Sequence, residues 1–482
     1  MKRGLFILLV VLGLNVNAQP PSKWYNRFGG AGIDIGYGVK ETYKRHYIVA
    51  GSTSSFGYGA TDAYLILVDS MGQKVWDKTY GGVMADVAKA VVVNPIDSGF
   101  IFTGYTGSIG NGGYDVYLVR TDKNGTIIWQ QSFGGLDWDF GNDIIIAPDG
   151  NILICGYTFN SKYGKKDGYI SKINPNNGSI IWEKKYGDSH DDIFTSIIST
   201  TDGFISLCGT RTLDGISNDF WLFKVNLNGD SILSKAVTSF STNEKCYDFM
   251  QDKNNQLVFA GALDTSLAMT GKYTSYLVRT DLSGAFLGSI SYTNGATNED
   301  KFSTICNTKN QNEFCMVRKV NQPLYKFNCQ PFKTLPDFTY LAATTYGDFD
   351  DDEIFNIEMC SDNGYILTGS CKSYDAILED VYLIKLDSTI YGAQSIVGIK
   401  ENTNTSYEIE FYYYKNKLYF HNSTLEETTI SIYNVTGQLI KEGNTNNASF
   451  DPQIQKSGIY FAILKQGARS KKLKFIANIA HD

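Results

Sequence analysis

A chain of 482 residues, 43% hydrophobic and 14% aromatic with only 19% charged, is too long for one ordinary compact domain and too apolar to be disordered. Its 47 glycines against 9 prolines fit many short strands joined by tight turns. A formal net charge of −7 argues against binding to a phosphate backbone, so no nucleic-acid partner is expected.

The first 18 residues read as a secretory signal peptide. Lys2 and Arg3 precede an apolar run from Leu5 to Leu14, and Val16-Asn17-Ala18 places small residues at the −3 and −1 positions of a cleavage site. The run falls short of the ~20 residues that span a membrane, and no transmembrane segment is expected elsewhere. Loss of Lys2 and Arg3 would take the formal charge from −7 to −9.

From there a repeat of about 53 residues governs the chain. Trp24, Trp76, Trp129 and Trp182 are each followed four residues later by an aromatic and then a glycine: Phe28-Gly29, Tyr80-Gly81, Phe133-Gly134 and Tyr186-Gly187. A second marker is an apolar run closing on Gly51, Gly104, Gly156, Gly209, Gly261 and Gly369, with a degenerate copy expected at 313–316. A third is Asp-x-aromatic: Asp62/Tyr64, Asp115/Tyr117, Asp167/Tyr169, Asp219/Trp221 and Asp380/Tyr382, with Thr274/Tyr276 as a weakened copy. In the unit from Asp86 to Phe133, four strand patterns alternate with the turn Asp97-Ser-Gly99, the loop 107–114 and the turn Asp122-Lys-Asn-Gly125. Four antiparallel strands, repeated seven times, predict an all-β fold: a seven-bladed β-propeller over residues 19–388. The orphan strand at Trp24–Phe28 and the missing fourth strand after Asp387 predict that the chain start completes the last blade.

The segments Asp69-Ser-Met-Gly-Gln-Lys-Val-Trp76 and Asp122-Lys-Asn-Gly-Thr-Ile-Ile-Trp129 resemble the tryptophan-docking turn of quinoprotein-type propellers. The whole repeat is more similar still to bacterial surface propellers, over about residues 24–388. Quinoprotein dehydrogenases hold a calcium-bound quinone and often carry adjacent cysteines. The eight cysteines here, all between positions 155 and 371, include no such pair. Cys155 and Cys208 read as small buried hydrophobes, and Cys306 and Cys315 flank a turn across which a disulfide could form.

Residues 389–404 read as a linker and 405–482 as a small β-sandwich. The order Ile430-Ser-Ile-Tyr-Asn434, Gly437-Gln-Leu-Ile440, Ser457-Gly-Ile-Tyr460 and Lys471-Lys-Leu-Lys-Phe-Ile476 resembles the type A C-terminal sorting domain of the type IX secretion system, without the Pro-Asn-Pro that often opens it. That resemblance implies the type IX secretion machinery as a partner. It also implies removal of the module, and release from, or attachment to, the outer surface of a Gram-negative bacterium.

For chemistry, Asp34, Asp86, Asp139, Asp192 and Asp352 share one register, four residues past a Gly-Gly or its equivalent, and should ring one end of a central channel. Such a once-per-blade residue ordinarily holds loop backbone, while an acidic mouth would attract a cation or basic ligand. The candidate ligand-binding residues are Asp137, Trp138, Asp139, Asp192, Asp350, Asp351 and Asp352, supplemented by Asp348 and Glu353. Trp138 is a bulky indole between carboxylates. The loops 54–59, 107–114 and 163–166 are expected on the same face, with aromatic rings able to stack on sugars or peptides. No cofactor is expected, although calcium suits an oxygen-rich cluster; EF-hand spacing is absent and the four histidines are scattered. With no Ser-His-Asp or Cys-His arrangement, the reading is a binding or adhesion propeller for an extracellular glycan or protein. A glycan-active hydrolase or lyase is the alternative.

Overall fold

The computed structural model describes residues 24–390 and 410–477, apart from 160–164, 213–216, 239–241, 265–271, 293–299, 310–311, 323–324, 348–349, 373–377, 415–416, 422–427, 435–437, 446–448, 455–457 and 467–468. The expected signal peptide and most of the expected linker therefore lie outside the described residues. Two compact units divide at Gly392 and Ala393.

The first unit is built of seven four-stranded antiparallel sheets. Sheets 1 to 6 cover residues 34–80, 86–133, 139–186, 192–236, 243–292 and 301–343; sheet 7 combines 352–386 with the strand Trp24–Phe28. The first strands of the sheets are Asp34–Glu41, Asp86–Val93, Asp139–Ile146, Asp192–Ser199, Asn243–Gln251, Lys301–Asn307 and Asp352–Met359. Each lies against the first strand of the next sheet, and that of sheet 7 lies against that of sheet 1. The result is a closed, propeller-like ring.

The burial of each strand explains its composition. Second and third strands, such as Tyr47–Thr53 and Asp62–Val68, are buried throughout and read as continuous apolar runs, whereas the outermost strand Lys74–Tyr80 is largely exposed or half-buried. Between sheets 1 and 2 the packed layer includes Ile48, Leu65, Val91, Phe102 and Tyr117, and similar layers separate the other sheets.

The tryptophans lock neighbouring sheets together. Trp24, Trp129 and Trp182 donate their indole N–H to the carbonyls of Ser70, Pro175 and Leu227 in the next sheet, at 3.2, 3.1 and 3.2 Å. Trp76 instead covers the turn glycine Gly125 of the next sheet, whose backbone takes φ of +74°, and a Cβ there would stand 3.0 Å from the indole and from the Tyr80 hydroxyl oxygen. The Tyr80 hydroxyl in turn donates to the Gly125 carbonyl at 2.7 Å.

Sheets 4 to 6 lose the tryptophan: its register position is held by Leu233, Gly288 and Ala342. In sheet 6 the slot of the repeat glycine falls at Arg318, two residues beyond the segment expected from sequence. There the guanidinium is buried and reaches Asp300 at 2.7 Å, Ser275 Oγ at 3.0 Å and the Tyr292 carbonyl at 3.1 Å. Cys306 and Cys315 are register partners, and both are free thiols.

The second unit pairs a three-stranded sheet, Glu410–Tyr414, Lys417–His421 and Ser449–Phe450, with a four-stranded one, Thr428–Asn434, Leu439–Thr445, Gly458–Gln466 and Arg469–Ala477. Its core is Leu418, Ile430, Ile432, Tyr460, Ala462 and Leu464.

Candidate functional site

Alternating strand direction puts the loop entering each first strand and the loop joining the second and third strands at the same end of the ring. To the five acids expected there the structure adds two, giving Asp34, Asp86, Asp139, Asp192, Glu244, Asp300 and Asp352, each three residues before a β-bulge and at most 2% exposed. Glu244 and Asp300 escaped the sequence reading because the preceding Gly-Gly is lost at both, and at Asp300 the interval also stretches, with 56 positions from Glu244 to Asp300 against 52 from Asp192 to Glu244. The bulge register would have found them.

Five of these carboxylates accept from backbone N–H groups, while Glu244 accepts from the hydroxyls of Thr238 and Thr242 and Asp300 pairs with Arg318. Asp34 accepts from Gly30 N at 2.8 Å and Ser55 Oγ at 2.5 Å, and Asp86 from Gly82 N at 2.7 Å and Ser108 Oγ at 2.6 Å. Asp139 accepts from Gly135 N at 2.9 Å, Asp192 from Asp188 N at 2.8 Å, and Asp352 from Lys372 N at 3.1 Å. A second tier begins the third strands. A Cβ on Gly134 would stand 2.0 Å from Asp115 Oδ1 and 2.7 Å from Asp139 Oδ2, so only glycine fits between the tiers. Burial pushes Asp192 up to about 6 and Glu244 up to about 7, and also raises Asp62, Asp115 and Asp380.

The remaining candidates lie at the same end but do not converge. Asp137 and Trp138 are exposed at the entry to sheet 3, Asp192 enters sheet 4, and Asp350, Asp351 and Asp352 enter sheet 7. Asp350 and Asp351 are half-buried, and Asp351 accepts from Phe327 N at 3.0 Å. Asp348 lies outside the described residues. Cations interleave the cluster. Burial alone would raise Glu353, but Lys301 at 2.6 Å and Lys319 at 2.7 Å hold its carboxyl below the usual range. Among the described residues, no group of three or more His, Cys, Asp or Glu side chains is placed to hold a metal ion.

Around Trp138 the structure assembles what the sequence reading missed. Trp138, 50% exposed, meets Tyr114 at 5.5 Å, Phe159 at 5.8 Å and Phe140 at 6.3 Å between ring centroids. Phe140 stacks on Tyr157 at 4.8 Å, and Tyr105 meets both Tyr114 and Phe140 at 5.0 Å. Lys166 Nζ stands 5.4 Å from the Phe159 ring. None of the six rings is buried. Phe140 and Tyr157 are register partners, where sheets 1, 4 and 5 carry Ile35/Ser52, Ile193/Thr210 and Lys245/Ala262. That contrast within the repeat was the available signal.

Below this face runs the central channel, a cavity of about 400 Å³ lined by all seven first strands. The bulged residues are Tyr37, Lys89, Asn142, Thr195, Tyr247, Ser303 and Phe355. Lys89 Nζ sits 3.6 Å over the Tyr37 ring, and burial brings this amine down to about 8. One residue further on, polar side chains latch sheet to sheet. Asp143 accepts from Ser196 Oγ and Ile197 N, both at 3.0 Å; Asp248 accepts from Thr304 Oγ1 at 2.9 Å and Ile305 N at 3.0 Å. Asn356 Oδ1 accepts from Val39 N at 3.1 Å and closes the ring.

Residues 414–478 match the family described as the secretion system C-terminal sorting domain. This module marks a protein of a Gram-negative bacterium that is secreted or carried at the cell surface, and its partner is the secretion machinery. No helix among the described residues is long and apolar enough to cross a membrane. No curated protein matches the chain. Similar solved structures include PorZ, a surface component of the type-IX secretion system of Porphyromonas gingivalis, at 12% identity and TM-score 0.42, covering 91% of this chain and 59% of that one. The extracellular domain of the putative hybrid two-component system BT3049 from B. thetaiotaomicron is similar at 11% identity and TM-score 0.45, covering 95% and 58%. This chain thus spans less than two thirds of the length of both. The polysaccharide lyase Uly1 is similar at 13% identity and TM-score 0.47, covering 73% and 90%.

Proposed function

We propose that the protein is a seven-bladed surface propeller, exported by type IX secretion, that captures an extracellular glycan on its loop face. The observation that carries this reading is the patch of six mutually touching, incompletely buried aromatic rings around Trp138. Folding alone would bury such rings; left half open at a channel mouth, they offer flat apolar faces to the C–H face of a sugar. The buried acids of the same face are engaged with backbone, hydroxyls and cations of the protein itself, so the aromatic patch supplies the recognition.

The test is a glycan array probed with the intact chain, followed by titration of a hit against wild type and Trp138→Ala. Loss of the indole should weaken binding by roughly 1–3 kcal/mol, as for a hot-spot residue, with the melt barely moved. Equal affinity of the two proteins would remove the patch from consideration. Release of new reducing ends from the same glycans would shift the reading to a hydrolase.

A further inference from the structure

The residue one past each first-strand acid shares a side of its strand with the bulged residue two positions on, and so stands at the mouth of the channel. In every sheet but the second, both residues are half-buried while the one between them is buried. In sheets 1 to 4 this mouth position is Ile35, Val87, Phe140 and Ile193. In sheets 5 to 7 it turns to Lys245, Lys301 and Glu353, and Lys319 is the register partner of Lys301.

Cations outnumber acids at the mouth. Lys301 and Lys319 share the one carboxylate of Glu353, at 2.6 and 2.7 Å. Among the described residues, no carboxylate lies within ion-pair distance of Lys89 or Lys245. Aromatic rings hold all four ammoniums in place: Lys89 over Tyr37 at 3.6 Å, Lys245 over Tyr273 at 4.6 Å, Lys301 over Tyr247 at 5.0 Å and Lys319 over Phe327 at 4.4 Å. Tyr37 in turn meets Phe355 at 5.3 Å, on the strand that carries Glu353. In a chain of net charge −7, this grouping makes a local positive field inside a narrow opening. The mutual repulsion of the lysines is a cost that a bound anion would offset.

The surrounding acids confine that field. At the rim, Asp191 faces Lys166 at 3.7 Å and Glu379 faces Lys372 at 2.9 Å, and Asp350 and Asp351 lie within electrostatic reach of the same Lys372. Asp137 is exposed, where water and salt screen it. Deeper in the channel stand Asp143 and Asp248, one residue past the bulge, and Glu358, paired with Lys40 at 2.5 Å. An anion is turned back by these deeper acids and rests at the mouth.

The mouth adjoins the aromatic patch. Burial, and after it the phenols of Tyr37, Tyr114 and Tyr157, raise the Tyr105 phenol, so the ring beneath Lys89 is a neighbour of the patch rings. We propose that the glycan captured on the loop face is an acidic polysaccharide, with a carboxylate or sulfate group entering the channel mouth to face Lys89 and Lys245 while its sugar rings cover the patch around Trp138. This rests on the glycan reading and adds the charge of the ligand.

The test titrates the full chain, by calorimetry, with polygalacturonate and its fully methyl-esterified form, and with dextran sulfate and dextran. Each pair shares a backbone and differs in charge. At least one acidic polymer should bind at least tenfold more tightly than its neutral partner, and which one does so tells carboxylate from sulfate. Lys89→Met and Lys245→Gln should each weaken that polymer at least fivefold. Lys89→Met removes a desolvated charge with no carboxylate beside it, so its melt should hold or rise, as a purely structural lysine would not allow. Lys123→Gln, on an exposed turn at the opposite end of the ring, controls for net charge and should change affinity less than twofold. A neutral polymer bound as tightly as its acidic partner, an equal loss in Lys123→Gln, or full affinity in both Lys89→Met and Lys245→Gln would overturn the proposal. Neutral polymers that bind tightly and are lost in Trp138→Ala would leave glycan capture standing and remove only the charge. Binding of none of the four polymers also overturns the proposal, while the glycan array decides capture itself.

Discussion

The guanidinium of Arg27 lies 3.3 Å from the carboxylate of Asp380, across 353 positions of the chain. The two belong to adjacent strands of sheet 7, where Trp24–Phe28 runs antiparallel to Asp380–Leu386. The same short strand sends Trp24 into sheet 1, at the Ser70 carbonyl. One strand from the chain start therefore joins the last sheet to the first and removes an open sheet edge. Deleting residues 19–29 should lower the melting temperature sharply and promote association through the exposed strand at Asp380–Leu386. Trp24→Ala alone should cost roughly 2–4 kcal/mol, at the lower end for a tryptophan because the ring is half-buried. Calorimetry with a sedimentation measurement reads both effects, and an unchanged melt in the deletion would contradict the closure role.

The channel latches predict a second set of effects. Asp143 and Asp248 each satisfy a backbone N–H and a hydroxyl of the following sheet. Asp143→Ala or Asp248→Ala would strand those donors in the interior and should destabilise by roughly 1–3 kcal/mol in denaturant unfolding. Asp143→Asn keeps an acceptor oxygen and should cost less.

The strands of sheets 1 to 4 could be read from sequence because their markers serve the sheet itself: Trp76 and Trp129 fit the turns they cover, and Gly134 fits between two carboxylates. Sheets 5 and 6 were harder for the same physical reason. Where Arg318 replaces the glycine and pairs with Asp300, the local solution differs, and no periodic marker announces it. The site was less legible than the fold. Trp138 stands out in the chain by itself, but Tyr105 and Phe140 lie in different sheets and touch only because the second strand of sheet 2 packs against the first strand of sheet 3. Lys89 over Tyr37 is likewise a contact between sheets 2 and 1 that no spacing within either strand encodes.

Acids and indole should respond in opposite ways on the loop face. Asp139→Asn and Asp352→Asn alter buried carboxylates that accept from Gly135 N and Lys372 N, so they should lower the melt and leave ligand affinity in place. Trp138→Ala should do the reverse. Affinity lost in Asp352→Asn with an unaltered melt would instead make the carboxylate a ligand contact.

The two ends of the chain predict its processing. A sorting domain at 414–478 and a signal peptide expected at residues 1–18 imply a mature form that begins at Gln19 and ends within the expected linker, 389–404. Mass spectrometry of the protein recovered from the cell surface or the medium reads both termini. A recovered form that retains Lys471 to Ile476 would contradict removal of the module.

The pH dependence of stability follows from the buried acids. Burial pushes Asp143 and Asp192 up to about 6 from 3.8, and Glu244 up to about 7 from 4.5. Well above pH 7 all three are charged in both folded and unfolded chains, and the folded state carries the whole cost of burying the charge. Between pH 7 and about 4.5 the folded state binds protons that the unfolded state does not, so stability rises as pH falls. The opposing group is Asp97, Asp149, Asp188 and Asp202. Burial alone would raise them, but Arg120, Lys172, Arg211 and Lys224 hold them below 3.8. Their contribution is complete above 3.8 and is lost only as pH drops through their lowered values, so it adds no slope between 5 and 7.5. Lys89, brought down to about 8, starts to lose its proton in the folded state only towards the alkaline end of that interval, where it opposes the trend weakly. The melting temperature should therefore be higher at pH 5.5 than at pH 7.5. Glu244→Gln, which keeps an acceptor oxygen for one of the two hydroxyls that Thr238 and Thr242 donate, should flatten the upper part of the rise while Asp143→Asn flattens the lower. Calorimetric scans of the three proteins across pH 5–8 separate the contributions, and a wild-type melt that falls on acidification through this range would count against the buried acids as its source.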